Sequence, residues 1–139
     1  MIILDTNVLS AVMQRQPDSV VVEWLDGVPA ESVWLTAVTV LEVRFGLEIL
    51  PVSRKRKQLE DAFAKALEED FDARVLPLDR AAAEAAGVIA AGQRKAGRPV
   101  DVRDVQIAGI ATSRKATLAT RNVRHFAGLA IPIIDPWGT

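Results

Sequence analysis

The sequence predicts an α/β protein, a three-layer α/β/α sandwich around a short, mostly parallel five-stranded sheet. Three observations predict it. The chain opens on an unbroken apolar run, Met1-Ile2-Ile3-Leu4, of the kind that forms a strand buried on both faces of a parallel sheet. Four more short apolar segments recur along the chain, each bounded by turn residues or caps. Between them lie stretches with helical periodicity, and strands alternating with helices pack as layers on a parallel sheet. With 139 residues and no repeat or linker, the expectation is one domain over residues 1–139.

The elements follow in order. The first strand ends at Asp5, a carboxylate placed where open α/β sheets collect their ligands, just beyond a strand's carboxyl end. Thr6 and Asn7 are expected to cap a helix from about Val8 to Gln14. Asp5 itself has a plainer reading as that helix's N-cap. A second helix opens at Pro17-Asp18-Ser19, with Val21, Val22, Trp24, Leu25 and Val28 as its apolar face, and stops at Gly27 and Pro29. Ser32–Thr36 is the second strand, and a helix from Ala37 to Leu50 follows, stopped by Pro51. On that helix Arg44 and Glu48 are spaced as an i,i+4 ion pair. Glu42 points almost the opposite way, inward beside Gly46. An unpaired carboxylate there costs several kcal/mol, so it needs a core arginine, a capping role or a cation.

Ser53–Asp70 reads as an amphipathic helix with Leu59, Phe63, Ala66, Leu67 and Phe71 inside. Its basic start and acidic end run against the helix dipole. Arg74–Leu78 is a third strand, which Pro77 assigns to an edge. Asp79 caps an alanine-rich helix to Lys95 that Gly97 ends; as an acid at a strand end, Asp79 is also a rival site residue. The loop 97–103 leads into a helix from Asp104 to Thr112, whose inward side carries Asp104, Ile107, Ala108 and Ala111. Asp101 as N-cap with Asp104 three residues on is the competing explanation of Asp104. Ala116–Thr120 and Ile131–Asp135 complete the sheet.

Composition narrows the chemistry. The chain has no cysteine and one histidine, which excludes disulfides, thiolate nucleophiles and multi-histidine zinc sites. A net charge of −1 gives no general affinity for polyanions, though a local basic groove is compatible with it. No apolar run approaches the roughly 20 residues of a membrane span, and the amino terminus lacks the basic n-region of a signal peptide. The expected location is the cytoplasm. Asp5, Glu42 and Asp104 come from three separate elements, and converging carboxylates need a cation to be stable together. All-oxygen ligands suit Mg²⁺, with Mn²⁺ able to substitute, and such a site performs phosphoryl chemistry.

Asp5-Thr6-Asn7-Val8-Leu9, Thr39-Val40-Leu41-Glu42-Val43-Arg44-Phe45-Gly46 and Asp104-Val105-Gln106-Ile107-Ala108 resemble the signature segments of PIN-domain ribonucleases. With the chain length and Thr120-Arg121-Asn122, they look like the VapC-type toxins of toxin–antitoxin pairs, FitB-like subgroup. The resemblance implies a Mg²⁺- or Mn²⁺-dependent endoribonuclease whose metal-binding acids are Asp5, Glu42 and Asp104. It implies a further polar catalytic position after the fourth strand, here Asn122, and gives His125 no role. Thr6 and Asn7 would steady Asp5 or contact substrate, and Arg121, Arg124, Arg98 and Arg103 would meet the RNA backbone. The implied partners are a small antitoxin, a second copy of the chain, and operator DNA through the antitoxin complex only, with no membrane. Trp24, Val28, Ala37, Leu41 and Phe45 are the apolar surface expected to receive the antitoxin. Two other readings stand beside this one: a catalytically silent partner-binding scaffold, and a haloacid-dehalogenase-type phosphatase. The latter needs an aspartate two residues after Asp5, where Asn7 stands.

Overall fold

The computed structural model describes residues 1–138, and its centre is the first strand, β1 (Ile2–Leu4). β2 (Val33–Thr36) and β4 (Thr117–Ala119) flank it, and β3 (Val75–Leu76) and β5 (Ile133–Ile134) form the edges, giving the order β3-β2-β1-β4-β5. Every pairing is parallel, with Ile2 opposite both Val33 and Thr117. The sheet is therefore wholly parallel. Pro77 lies just past β3, an edge strand, as its missing N–H requires.

The helices are α1 (Thr6–Met13), α2 (Ser19–Asp26), α3 (Ala37–Ile49), α4 (Arg54–Lys65), α5 (Arg80–Lys95) and α6 (Val102–Ser113). The pleat sends alternate residues of each strand to opposite faces. Leu4, Leu35 and Ala119 join one core with Val8, Leu9, Val21, Val43, Leu47 and Phe63. Ile3 and Leu118 join the other with Ala82, Ile107, Ala108, Ile110 and Phe126. So α1, α2 and α4 cover one face and α5 and α6 the other, while α3 contributes to both through Val43 and Val38. Two short 3₁₀ turns, Ala30–Ser32 and Val123–Phe126, precede β2 and follow β4.

Several local expectations change. α1 begins at Thr6, not Val8, because the Asp5 side chain accepts the Thr6 N–H and caps it. α6 begins at Val102, not Asp104, with Asp101 capping through the Asp104 N–H. The helix read as continuous to Asp70 passes at Ala66 into a π-helical turn over Ala66–Asp70. Arg44 and Glu48 do not pair: Glu48 meets Arg56 at 2.6 Å, and Arg44 approaches Glu60 at 3.9 Å. Arg56 also bonds Glu60 and donates to the Leu50 carbonyl, so one residue of the basic cluster satisfies the end of the preceding helix. That outweighs its unfavourable place in its own helix dipole. Trp24 and Val28 pack against the core, whereas Leu41, Phe45 and Ile49 of α3 are 61%, 54% and 68% exposed.

Candidate active site

In the order β3-β2-β1-β4-β5 the chain reverses its direction of travel beside β1, and the carboxyl edge there is the natural ligand crevice. Asp5 leaves β1 at that point and Thr120 leaves β4 next to it. The Thr120 hydroxyl donates to Asp5 Oδ2 at 2.7 Å, and the Thr6 N–H donates to Oδ1 at 2.8 Å. Asp5 is 4% exposed. Burial pushes its carboxyl above the usual aspartate range, Asp104 and Glu42 push it further, and the bonds from Thr120 and Thr6 offset part of this. Asp5 caps α1, as its plainer reading has it, and also lines one cavity with the other acids.

Glu42, on α3, accepts at Oε1 from the Thr6 hydroxyl at 2.9 Å. A line of hydroxyls stands behind it: Thr36 Oγ1 lies 3.4 Å from Thr39 Oγ1, which lies 2.9 Å from Thr6 Oγ1. Each hydroxyl has one proton to give. Because Thr6 gives its own to Glu42, the donations run one way, from Thr36 to Thr39 to Thr6 to Glu42. Asp104 sits in the first turn of α6, and burial raises its pKa, with a bond from His125 opposing that rise. Asp5, Glu42 and Asp104, with Thr6, Asn7, Ser10 and Asn122, line one cavity of about 410 Å³. Asp79 lies elsewhere, capping α5 through Ala82 and approaching Arg114.

The acids have basic partners that the sequence reading missed. Arg103 Nη1 reaches Glu42 Oε2 at 3.4 Å, and His125 Nδ1 reaches Asp104 Oδ2 at 2.8 Å. Arg103 is thus turned to an acid and stacked near Phe45, 5.9 Å from its ring. Asn7 donates weakly to Asp5 Oδ2 and Thr120, both at 3.4 Å, and accepts from the Arg121 N–H at 3.3 Å. The Arg121 guanidinium lies away from the cavity, 4.6 Å over the Trp137 ring, and Trp137 donates to Asp18 Oδ2 at 2.9 Å. Arg98 and Arg124 line an adjoining cavity with His125 and Asp104. Thr36, Thr39 and Thr120 were legible only as hydroxyls ending β2 and β4 or opening α3. His125 offered no periodic signal.

Among the described residues, no three His, Cys, Asp or Glu side chains form a ready-made chelate. The donor set still fits a hard divalent ion. Mg²⁺ binds through one or two carboxylates and keeps several waters, and the two raised carboxyls are groups whose charge a cation would stabilise.

Fold and site together define a parallel α/β protein with an acidic crevice at the switch point of its sheet. The model of the PIN domain matches residues 2–131, and the chain belongs to that family. It is 34% identical over 137 residues to Toxin FitB of Neisseria gonorrhoeae, covering 99% of each chain. It is 33% identical to VapC ribonuclease Y4jK of Sinorhizobium fredii, covering 99% of this chain and 98% of that one. The structure of FitAB bound to a DNA fragment superposes with a TM-score of 0.89 at 33% identity, covering 100% of this chain and 97% of its counterpart. Among the described residues, no helix is long and apolar enough to cross a membrane.

Proposed function

We propose that this chain is a divalent-metal-dependent endoribonuclease and the toxin of a toxin–antitoxin pair. The observation that carries the reading is the meeting of Asp5, Glu42 and Asp104 in one open crevice, in a PIN-domain chain whose relatives include a VapC ribonuclease and a FitB toxin. Asp5, Glu42 and Asp104 would hold Mg²⁺, or Mn²⁺ in its place, which when bound polarises a phosphate and lowers the pKa of its water. Thr120 and Thr6 fix both oxygens of Asp5. The one-way hydroxyl line keeps Glu42 Oε1 facing the crevice as an acceptor. Arg103 meets Glu42 Oε2 at 3.4 Å; a cation held by Glu42 would take over that charge and leave the guanidinium available to RNA. His125 holds Asp104 Oδ2, so Oδ1 is the oxygen Asp104 would offer to the ion. Asn7 and Asn122 offer amides to a phosphate oxygen or a water, and neither adds charge.

The partners follow the same reading: RNA as substrate, a small antitoxin as inhibitor, operator DNA only through their complex, and a homodimer in the cytoplasm. A second reading, a partner-binding scaffold without catalysis, draws on the fact that Arg103 already pairs with Glu42 and His125 already hydrogen-bonds Asp104. One experiment separates them. Purified protein is incubated with single-stranded RNA and matched duplex DNA, with Mg²⁺, with Mn²⁺ or with chelator. Metal-dependent cleavage of RNA leaving a 5′-phosphate supports the nuclease; intact RNA in every condition leaves the scaffold.

A further inference from the structure

Beside the acidic crevice, and sharing Asp104 with it, lies a second cavity of about 470 Å³ between the α5–α6 loop and the turn after β4. Its walls are Arg98, Pro99, Val100 and Asp101 on one side and Arg124 and His125 on the other, with Gln93 between. We propose, on the reading of the acids as a ribonuclease centre, that this cavity takes the nucleotide next to the bond that is cut. Arg98 and Arg124 grip its phosphate, and its base lies against Pro99 and Val100.

The observations favour this occupant in three ways. Arg98 and Arg124 are exposed and, among the described residues, make no ion pair or side-chain hydrogen bond, whereas Arg44, Arg56, Arg80, Arg103 and Arg114 are each paired with a carboxylate. Two free guanidiniums facing one cavity suit a phosphate, for which their planar donors are shaped. The cavity, at about 470 Å³, also has the size of a small-ligand pocket, enough for one splayed nucleotide. Sequence-selective RNA recognition uses such single-stranded, unstacked bases. Finally, the shared Asp104 wall makes the two cavities contiguous, so one strand can pass from the acids into the arginines. The α5–α6 loop that carries Arg98 is fixed at both ends, by Gly97 at φ +72° closing α5 and by the Asp101 cap opening α6. The site is therefore built on ordered backbone.

The test uses the whole protein with Mg²⁺ and a fluorescent single-stranded RNA. Arg98→Ala/Arg124→Ala is compared with Arg98→Lys/Arg124→Lys and with Lys65→Ala/Arg80→Ala, which removes equal charge outside this cavity. The expected result is a KM raised about tenfold or more in the first, with kcat within about twofold, a smaller rise in the second, and none in the third. Losing one phosphate contact should also lower the slope of log affinity against log salt by about 0.7 in magnitude, the value per phosphate on a single strand. Unchanged KM in an active Arg98→Ala/Arg124→Ala enzyme overturns the subsite and leaves the ribonuclease reading standing. An equal loss in Lys65→Ala/Arg80→Ala overturns it too, because bulk charge then explains the effect. If the wild type cleaves no RNA, the ribonuclease reading fails instead. Anisotropy of the labelled RNA on an Asp5→Asn background then judges the cavity by binding alone.

Discussion

The helices on the two faces of the sheet are packed against one another in different ways. Beneath α1, α2 and α4 the core is filled by large side chains, among them Leu4, Leu9, Val21, Leu35, Leu47, Phe63 and Phe71. The other face has large side chains too, Ile107, Ile110, Leu118 and Phe126, but between α5 and α6 themselves small residues bring backbone close to backbone. A Cβ on Gly109 would collide with the Ala82 carbonyl and lie 2.8 Å from Ala86 Cβ. The difference teaches where precision is kept. α6 carries Asp104 in its first turn, and a helix seated by backbone contact has little room to slide. The bulky face carries α1 and α2, and the helix α3 that brings Glu42 is braced on both cores. The acids meet on the seam, so each face can be perturbed separately and the consequence read at the site.

The largest effect is expected at the seam itself. Asp5→Asn or Asp104→Asn should reduce RNA cleavage by about 10³-fold or more, roughly 4 kcal/mol of transition-state stabilisation. Calorimetric titration with Mn²⁺ should show weakened binding in both. The same changes should stabilise the metal-free chain. The folded pKa of Asp5 is raised above 3.8, so the native state binds more protons than the unfolded one in the window between the two values. Stability therefore falls as pH rises through that window. Asp5→Asn removes the fall, and a melting-temperature series from about pH 4 to 7 with chelator present should be flatter for the variant. A variant that loses both stability and activity would show Asp5 to be mainly a helix cap.

The next test breaks the bulky face. Phe63 is buried against that core, and Phe63→Ala should cost about 3–5 kcal/mol by cavity formation. Because Glu42 is also held from the Thr36–Thr39–Thr6 side, the residual folded protein should keep much of its activity at low temperature. Urea unfolding beside RNA cleavage at about 15 °C checks both halves. The small-residue face should respond the other way. An interior Gly→Ala change favours a helix by up to about 1 kcal/mol, but overpacking against backbone costs about 1–3 kcal/mol. Gly109→Ala should therefore be a net loss of up to about 3 kcal/mol in urea, with activity falling more than stability, since α6 must move and Asp104 with it. A stabilised, fully active Gly109→Ala would refute the contrast between the faces.

Much of this was legible because local rules and the global fold agree. The apolar run before Asp5, the edge proline Pro77, the alanine-rich α5 and the three inward acids each follow from residue type and spacing, and each stands where expected. What escaped the sequence lies in long-range polar pairing. Arg103 and His125 reach acids contributed by other elements, and their spacing along the chain carries no sign of it. The Arg44–Glu48 expectation failed for the same reason, as Arg56 and Glu60 from α4 offered better partners. Arg121 looked like a phosphate ligand and is stacked on Trp137, sixteen residues on in sequence. Periodicity reports which face of an element is buried, and it is silent about which charge will meet which.

The smallest predicted effect sharpens the comparison at the two helix ends of the small-residue face. α5 and α6 close with the same hydrogen bonds. In α5 the Arg98 N–H reaches the Gln93 carbonyl at 2.9 Å and the Gly97 N–H reaches Arg94 at 3.0 Å; in α6 the Ala116 N–H reaches Ala111 at 3.0 Å and the Lys115 N–H reaches Thr112 at 3.1 Å. This pattern places one residue in the left-handed region. Glycine fills it in α5 at φ +72°, but lysine fills it in α6 at φ +53°, where a side chain costs about 1–2 kcal/mol of local strain. Lys115→Gly relieves that strain and gives back part of it by loosening the unfolded chain. The net expectation is a gain of about 0.5–1 kcal/mol in urea unfolding, with RNA cleavage unchanged because Lys115 lies at the opposite end of α6 from Asp104. Gly97→Lys should cost a similar amount, and because it stiffens the turn beside Arg98 it should also alter KM for RNA. Equal, purely structural effects at both ends would mean that the α5 turn has no part in the site.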